Sequence, residues 1–303
     1  MAYDMNSLDL MSIKNQLEKT YDFKIDDIKY IRSMIGHVYT LENEKHKFIL
    51  KLNRPNNKIS AIQATEIIEY LNENDYPVVE LVKTRNNENY FDFNTEEGKY
   101  IGFVYYYVEG KEPNIEKEVK QIGQQVGLFH NLMKGYEKPI IHRSKEFYID
   151  RFIKILIKSD YDKNKIEELN GYGKELWGKM EKSENGVCHG DLHSGNMFQK
   201  NGKYILFDFD TSSYSFPVID VATLCDTANF NNLIEKDFDK IMKRFESFYS
   251  GYIKERTLEY EDIKNIFSFI PIRHYELIAT ITINQKSGLQ KEFLDQQHEW
   301  ILK

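Results

Sequence analysis

The stretch that decides the fold lies in the second half of the chain and reads Val187-Cys188-His189-Gly190-Asp191-Leu192-His193-Ser194-Gly195-Asn196-Met197-Phe198, followed after five residues by Tyr204-Ile205-Leu206-Phe207-Asp208-Phe209-Asp210. Two short apolar runs, 197–200 and 203–207, flank Asn201-Gly202. This dipeptide strongly favours the two-residue turn of a β-hairpin. The sequence therefore predicts a hairpin directly after the His- and Asp-rich segment.

The hairpin is predicted to bring together side chains that are separated in the sequence. Counting outward from a two-residue turn sets Asn196 opposite Phe207, one residue from Asp208. Asp191 lies close behind on the preceding loop. An amide oxygen and a carboxylate, completed by water and phosphate, are ligands that Mg²⁺ prefers. A third carboxylate beside them can accept a proton from a hydroxyl.

Composition limits the class of protein. With 303 residues and 41% hydrophobic content, the chain has room for one large or two ordinary domains with a real core. No run approaches the ~20 apolar residues of a membrane span, and the N-terminus has no signal-peptide pattern. We therefore expect a cytoplasmic protein with no membrane partner. Cys188 and Cys225 lack metal-type spacing, so we expect reduced, buried thiols.

The net charge of the chain limits the classes of partner that it is expected to bind. Lys and Arg number 41 against 48 Asp and Glu, which gives a formal net charge of −7. Nucleic-acid affinity depends on excess basic charge, so nucleic acid is not expected as a partner. An acidic protein that binds a nucleotide must do so through a metal and local lysine. The acidic balance would also suit a cationic second substrate.

The first part of the chain has mainly strand character. Six runs have strand character, at 28–31, 38–41, 47–52, 78–83, 90–93 and 99–107, and the antiparallel sheet built from this region is predicted to have five strands. A helix is predicted over 58–72, and another over 7–20 with Ser7 as its N-cap. Gly36 lies between the first two strands, where a tight turn could bring backbone N–H groups near phosphates.

The pattern becomes helical after Gly110 and Pro113. Asn114 is predicted to cap a helix with the strongest apolar period in the chain, and further helices are predicted at 147–158, 163–182, from Pro217, and at 238–252 and 260–301. The predicted class is α+β, with an N-terminal lobe over 1–109 and a helical C-terminal lobe over 110–303.

The motif His189-Gly190-Asp191 with Asn196 and Asp208 resembles the catalytic and metal-binding segment of the kinase fold. Its closest match is the aminoglycoside phosphotransferase and choline kinase-like family, whose pattern His-Gly-Asp-x-His-x-x-Asn, a hydrophobic strand and Asp-x-Asp is present in order. Protein kinases have Arg in place of Gly190 and Gly in place of Asp210, and no Ala-Pro-Glu follows here. The resemblance implies a two-lobed, protein-kinase-like fold and a small-molecule acceptor.

The resemblance also implies roles for the loop residues. Asp191 would be the catalytic base, and Asn196 and Asp208 would hold Mg²⁺. Asp210 would contribute to a second metal or orient the loop. The supporting residues would be His189, which props the loop, His193, which approaches the phosphates or shapes the loop, and Asp220, which steadies it at the start of a helix.

On the nucleotide side, Lys51 is a lone charge in an apolar strand and resembles the lysine that grips the α- and β-phosphates in kinases. Alternation places Ile49 on the same face, where it would pack on adenine. The expected partner of Lys51 is a glutamate of the next helix; periodicity leaves Glu66 and Glu69 open, and the family spacing favours Glu66. The other predicted nucleotide contacts are the backbone of the hinge residues Tyr106 and Val108, and Gly36 in a phosphate loop with a single glycine.

The function implied by the resemblance is Mg²⁺-dependent transfer of the γ-phosphoryl group of ATP, with GTP left open, to a hydroxyl of an aminoglycoside, choline or similar amino alcohol. Neutral or acidic acceptors, as in homoserine or sugar kinases, stay open. Asp226, Tyr275 and Glu276 are candidate acceptor contacts, and a monomer or homodimer is expected.

Two other functions compete with this one. A protein Ser/Thr kinase is disfavoured by the missing activation-loop pattern. A non-catalytic nucleotide-binding pseudokinase is disfavoured by the presence of Lys51, Asp191, Asn196 and Asp208 together, because a binding module needs no base.

Overall fold

The computed structural model describes residues 8–33, 36–284 and 290–303. These residues form two compact units. Unit 1 contains the described residues up to Lys111 together with Phe198–Asp210. Unit 2 contains Glu112–Met197 and the described residues from Thr211 onward.

Unit 1 is built on an antiparallel sheet with the spatial order β1-β2-β3-β5-β4. The strands are β1 (Asp27–Ser33), β2 (Gly36–Glu42), β3 (Lys47–Asn53), β4 (Phe91–Thr95) and β5 (Gly98–Tyr106), and the main helix is α2 (Lys58–Glu73). The predicted α+β class, with a five-stranded sheet and one main helix, is confirmed.

One face of this sheet packs on a first helix, α1 (Leu10–Thr20). The core there joins Ile13 and Leu17 of the helix to alternate residues of β3, namely Phe48, Leu50 and Leu52. The predicted N-cap Ser7 lies outside the described residues. The helix begins at Leu10, and the Asp9 side chain caps it by accepting hydrogen bonds from two backbone N–H groups.

The prediction of a strand over 78–83 is wrong. This segment forms isolated bridges to two different partners, Val78 with Leu206 and Leu81 with Tyr105. The segment therefore contacts first the residue Leu206 and then strand β5, and neither contact is long enough to form a ladder. Pro77 contributes to the irregularity, because it has no N–H to donate.

The predicted hairpin is present as β7 (Met197–Lys200) and β8 (Lys203–Leu206). Asn201 and Gly202 both have positive φ, 52° and 78°, as a type I′ turn requires. The Leu206 N–H donates to the Pro77 carbonyl at 3.1 Å, and the Val79 N–H donates to the Leu206 carbonyl at 3.1 Å. These bonds explain why the hairpin and the residues up to Asp210 group with unit 1, whereas the sequence pattern places them in the lobe over 110–303.

Unit 2 is mainly helical, as predicted. Two short strands, β6 (Gly186–Cys188) and β9 (Ser213–Ser215), pair with each other, and the loop that carries Asp191 follows β6. The helices are α3 (Ile115–Leu132), α4 (Arg151–Lys158), which follows a π-helical turn at Glu146–Asp150, α5 (Lys163–Met180), α6 (Val218–Cys225), α7 (Glu235–Tyr252), α8 (Tyr260–Lys264), α9 (Ile266–Asn284) and α10 (Lys291–Leu302).

Helix α9 is long and apolar enough to cross a membrane by length and composition, with a mean hydropathy of 1.2 over Ile266–Ile283. Half of that window is buried inside the protein, and the helix contacts α4, α5 and α6. It also carries the buried, charged Glu276 in its second half. Burial within unit 2 therefore accounts for its apolar composition.

Helices α3 and α7 form the most extensive contact between two helices of unit 2. Their backbones approach closely at two glycines. A Cβ on Gly123 would overlap the carbonyl oxygen of Phe248, and a Cβ on Gly251 would overlap that of Lys120. Any larger residue at either position would push the two helices apart.

We predict that Gly251→Ala lowers the free energy of unfolding by about 1–3 kcal/mol or more, the usual range for overpacking a closed contact. Gly178→Ala in α5 is the matched control, since nothing lies within 4 Å of its added Cβ. That change should raise stability by about 1 kcal/mol through helix propensity. Urea unfolding checks both, and equal effects of the two variants would contradict the close α3–α7 packing.

Candidate active site

The most distinctive charge in unit 1 is the buried ammonium of Lys51 on β3. Its Nζ lies 2.5 Å from Asp208 Oδ1 and 2.6 Å from Asp210 Oδ2. Only 7% of the residue is exposed. Burial alone would lower the pKa of Lys51, but the two carboxylates outweigh it and raise the pKa above its ordinary value. Lys51 is therefore a fixed positive charge held between two acidic groups.

The expected partner of Lys51 was Glu66, and the structure corrects this. No ion pair joins Lys51 to Glu66 or Glu69 in the described part of the chain, and Glu69 pairs with Lys83 instead. A buried ammonium needs compensating charge, and the segment after β8 already supplies two carboxylates. The role assigned to Glu66 in nucleotide binding stays a prediction.

The backbone at Asp208 is in the left-handed region, with φ of 68°. Such a conformation costs of order 1 kcal/mol for a residue other than glycine and is concentrated at functional sites. A second cation reaches the same side chain, because Arg32 of β1 lies 3.3 Å from Asp208 Oδ2. The sequence analysis did not single out Arg32, which looks like any exposed strand residue.

The residues predicted to contact adenine lie on β3, at the end of β5 and two residues beyond it. Ile49 is buried and shares the face of Lys51. A small cavity in unit 1 lies beside this face; its lining includes Lys51, Ala64, Phe103, Tyr105, Asp208 and Asp210. The N–H of Tyr106 donates to the Glu80 carbonyl, and the carbonyl of Val108 accepts from Gly110. An adenine edge would therefore have to use the Tyr106 carbonyl and the Val108 N–H.

Gly36 has a structural reason to be glycine. It is the first residue of β2 and pairs with Asn53, and a Cβ there would overlap the backbone carbonyl of Leu52. Its neighbours Met34 and Ile35, which belong to the predicted phosphate loop, lie outside the described residues. A phosphate-binding role for Gly36 stays a prediction.

In unit 2 the loop that carries Asp191 follows β6 and turns sharply at Gly190. Gly190 has φ of 82°, and an added Cβ would overlap the carbonyl oxygen of Thr211. Both the left-handed backbone and the close approach require glycine. The departure from the Arg of protein kinases at this position thus has a local steric cause.

Asp220, in the first turn of α6, fixes the backbone of this loop through hydrogen bonds. Its carboxylate accepts the N–H of His189 at 2.7 Å and that of Gly190 at 2.8 Å. His130 Nε2 lies 3.1 Å from the same carboxylate, and His130 Nδ1 lies 2.9 Å from the hydroxyl of Tyr252. Burial lowers the pKa of His130, although its hydrogen bond to Asp220 opposes this. A neutral His130 that donates to Asp220 fits this arrangement.

His189 is fully buried, and its carbonyl accepts hydrogen bonds from the hydroxyls of Thr211 and Ser212, both at 3.2 Å. The imidazole of His193 accepts the N–H of Gly195 at 3.1 Å through Nδ1. Its Nε2 lies 3.8 Å from Asp191 Oδ2. Both histidines therefore shape the loop around Asp191.

Asn196 is joined directly to Asp191. Its Nδ2 donates to the Asp191 carbonyl at 2.8 Å and to Asp191 Oδ2 at 3.2 Å. With the amide nitrogen engaged in this way, the amide oxygen of Asn196 is the atom suited to a cation.

The structure adds a residue that sequence reasoning missed. Arg273 of α9 donates to Asp191 Oδ1 at 2.5 Å and also pairs with Glu276, which is 3% exposed. Arg151 of α4 lies 3.2 Å from the same glutamate. The available signal was a charged pair three residues apart inside a long apolar helix, since such charges need partners.

The three candidate acceptor contacts behave differently. Tyr275 is fully buried, and its hydroxyl donates to the Leu169 carbonyl at 2.7 Å, so it is a core residue. Glu276 is committed to the two arginines. Asp226 is partly buried and accepts the N–H of Ala228 at 2.8 Å. Burial raises the pKa of Asp226 to about 6.

Both cysteines are free and buried. The thiol of Cys188, next to the loop, lies 3.4 Å from the carbonyl oxygen of Ser213, and burial raises its pKa to about 12. Packing rather than reactivity explains Cys188.

The carboxylates of unit 1 that lie beside Lys51 fit a hard divalent cation. The described residues contain no group of three or more His, Cys, Asp or Glu side chains placed to hold a metal. Asp208 and Asp210 of unit 1 are carboxylate oxygen donors. One or two carboxylates, with phosphate and water completing the shell, are the usual protein contribution to Mg²⁺.

Comparison with known proteins identifies the family. A profile of the Phosphotransferase enzyme family (APH) matches residues 27–256. The chain belongs to this family. It is a small-molecule phosphotransferase, as the resemblance in the His189–Asp210 region implied. The similar proteins described next share the protein-kinase-like fold, which confirms the predicted fold.

The amicoumacin kinase of Bacillus subtilis (strain 168) is 24% identical over 269 residues, which cover 84% of this chain and 79% of that protein. Among solved structures, an amicoumacin kinase in complex with AMP-PNP, Ca²⁺ and Ami has a TM-score of 0.78 at 19% identity, covering 97% of this chain and 93% of the other. A microcompartment-associated aminopropanol kinase has a TM-score of 0.76 at 17% identity, covering 96% and 94%. The choline kinase of Streptococcus pneumoniae has a TM-score of 0.65 at 14% identity, covering 96% of each chain.

We predict that Gly190→Ala lowers kcat by at least about tenfold, because it displaces the backbone that positions Asp191. Gly202→Ala is the matched control: Gly202 also has positive φ, but nothing lies within 4 Å of an added Cβ. It should cost about 1 kcal/mol of stability from backbone strain and leave kcat near that of the wild type. Steady-state kinetics and thermal unfolding of the two variants separate strain from steric displacement, and an unchanged kcat in Gly190→Ala would contradict the close approach.

Proposed function

We propose that the chain catalyses the Mg²⁺-dependent transfer of the γ-phosphoryl group of ATP to a hydroxyl of a small molecule. The observation that carries this proposal is the buried Lys51 ammonium bound to Asp208 and Asp210. A buried cation beside two carboxylates is suited to a nucleotide whose phosphates bind the lysine and whose metal binds the acids.

Each residue has a distinct task in this proposal. Lys51 binds the α- and β-phosphates, and Arg32 adds a second positive charge from β1. Asp208 and Asp210 would hold Mg²⁺, a task that the resemblance also implies for the amide oxygen of Asn196. When bound, the metal supplies charge neutralisation for the phosphates. The Tyr106 carbonyl and the Val108 N–H orient the base of the nucleotide, with Ile49 packed against it.

Asp191 is the proposed general base. Its Oδ1 is engaged by Arg273, whereas Oδ2 accepts a longer bond from Asn196 at 3.2 Å. Oδ2 is therefore the atom that takes the proton from the acceptor hydroxyl. Asp220 and Gly190 fix the backbone on which this carboxylate is carried, so that the base is oriented before the acceptor binds.

The acceptor class is inferred from the similar proteins. Those whose names state an acceptor include kinases for amicoumacin, aminopropanol and choline. We propose a hydroxyl-bearing small molecule, for which the amino alcohols are the first candidates. A protein acceptor is disfavoured by the local fold, because β9 and α6 follow closely after Asp210 and leave no room for an extended activation loop.

We predict that Asp191→Ala lowers kcat by about 10²–10⁴-fold, the contribution of a general base, while the Kd for Mg-ATP stays near normal. Asp208→Ala should instead weaken Mg-ATP binding itself. Coupled ADP release against a panel of amino alcohols measures the first effect, and calorimetry with Mg-ATP measures the second. Asp239→Ala, an exposed residue of α7, is the control for loss of an acidic side chain. Nearly full turnover in Asp191→Ala would remove the proposed base.

A further inference from the structure

Three guanidinium groups lie in one region of unit 2, beside the proposed base. Arg143 and Arg151 both stack on the ring of Phe147, with Cζ 3.7 Å and 3.9 Å from its centroid. Arg273 binds Asp191. These charges interact: Arg273 lowers the pKa of Arg143 by repulsion, and Asp191 raises it by attraction. Positive charge is therefore concentrated next to the carboxylate that would activate the acceptor.

Two of the three arginines have acidic partners. Arg273 pairs with Asp191 and Glu276, and Arg151 pairs with Glu276 and also donates to Thr280 at 3.0 Å. The other acids of this region are engaged elsewhere: Asp150 with Lys145, Glu146 with Lys154, and Asp226 with the N–H of Ala228.

Arg143 is the exception. Its guanidinium stacks on Phe147 and makes no ion pair or side-chain hydrogen bond among the described residues. Burial lowers the pKa of Arg143, and repulsion from Arg273 acts in the same direction. A partly buried guanidinium that no ion pair balances is costly, so this position suits an anion.

The neighbouring Arg151 shows the same electrostatic cost. Its pKa is lowered to about 10 by burial, with repulsion from Arg143 and Arg273 as the next causes. Like charges held together in a folded protein are relieved when an anion binds among them. Stacking on Phe147 keeps the Arg143 and Arg151 side chains in place, which reduces the entropy lost on binding.

We propose that the acceptor carries an anionic group, a carboxylate or a phosphate, that binds Arg143 while the acceptor hydroxyl lies at Asp191. This inference rests on the proposed phosphotransferase function and adds a substrate requirement to it. The planar guanidinium can donate two parallel hydrogen bonds to either anion. The acceptor would then be a hydroxy acid or a hydroxyl-bearing phosphate, in place of a purely cationic amino alcohol.

Matched acceptors test the requirement on the wild-type enzyme. Homoserine is compared with aminopropanol, and glycerol phosphate with glycerol, so each pair differs mainly in the anionic group. We expect kcat/KM to be about 10- to 100-fold higher for the anionic member of one pair, the effect of a charge-assisted hydrogen bond. The pair that shows this preference tells whether the site binds a carboxylate or a phosphate. Equal or higher kcat/KM for both uncharged or cationic members overturns the proposal.

Variants of Arg143 identify the residue responsible. Arg143→Gln should reduce the preference for the anionic acceptor about 10-fold or more through KM, and Arg143→Lys should restore part of it. Arg85→Gln in unit 1, an exposed arginine paired with Asp22, is the matched control and should leave the preference unchanged. Thermal unfolding of Arg143→Gln shows whether it folds, and an unchanged preference in a folded variant overturns the proposal.

The failure of this inference differs from a failure of the proposed function. Calorimetry of acceptor binding is measured beside turnover for wild type and Arg143→Gln. If neither homoserine nor glycerol phosphate is preferred to its matched partner while phosphoryl transfer is retained, the phosphotransferase function stands and the anion site is removed. Binding of homoserine that depends on Arg143, without phosphorylation of any acceptor, supports the anion site and contradicts the proposed transfer.

Discussion

The ion cluster of Lys51 with Asp208 and Asp210 is the interaction on which unit 1 depends. It joins the middle strand of the five-stranded sheet to residues that come about 160 positions later in the chain. Taking one partner away from a buried pair leaves an uncompensated charge, which typically costs about 3–5 kcal/mol. The cluster also helps to explain why Phe198–Asp210 belongs to unit 1, although the residues before and after this segment belong to unit 2.

In unit 2 the main structural constraint is that the short loop carrying Asp191 is held in a fixed shape. The Asp220 carboxylate accepts the N–H groups of His189 and Gly190, which orients the loop, and it also bonds to His130. Gly190 allows the left-handed turn, and Arg273 and Asn196 fix the Asp191 side chain from two directions. Preorganisation of this kind lets a carboxylate act without rearrangement in the reaction.

The features that sequence could predict are local. Alternating apolar residues identified the sheet, the 3.6-residue period identified α2 and α3, and Asn201-Gly202 identified the hairpin, because each depends on residues close in sequence. The missed features are long-range. Arg273 contacts Asp191 from 82 positions away in the sequence. Arg143 stacks on Phe147 but has no ion-pair partner among the described residues. Glu66 was chosen by spacing, but the nearer carboxylates after β8 balance Lys51 instead. A charged residue looks the same in sequence whether it faces solvent or another charge.

The central claim is that Lys51 and Asp208 act together on one Mg-nucleotide. A double-mutant cycle of Lys51→Met and Asp208→Asn, read out as Mg-ATP affinity by calorimetry, tests this most directly. Each single variant should weaken binding, and the double variant should be weakened by clearly less than the two losses combined, with a coupling of about 1 kcal/mol or more for groups in direct contact. Strictly additive losses, or unchanged affinity in either single variant, would contradict the account.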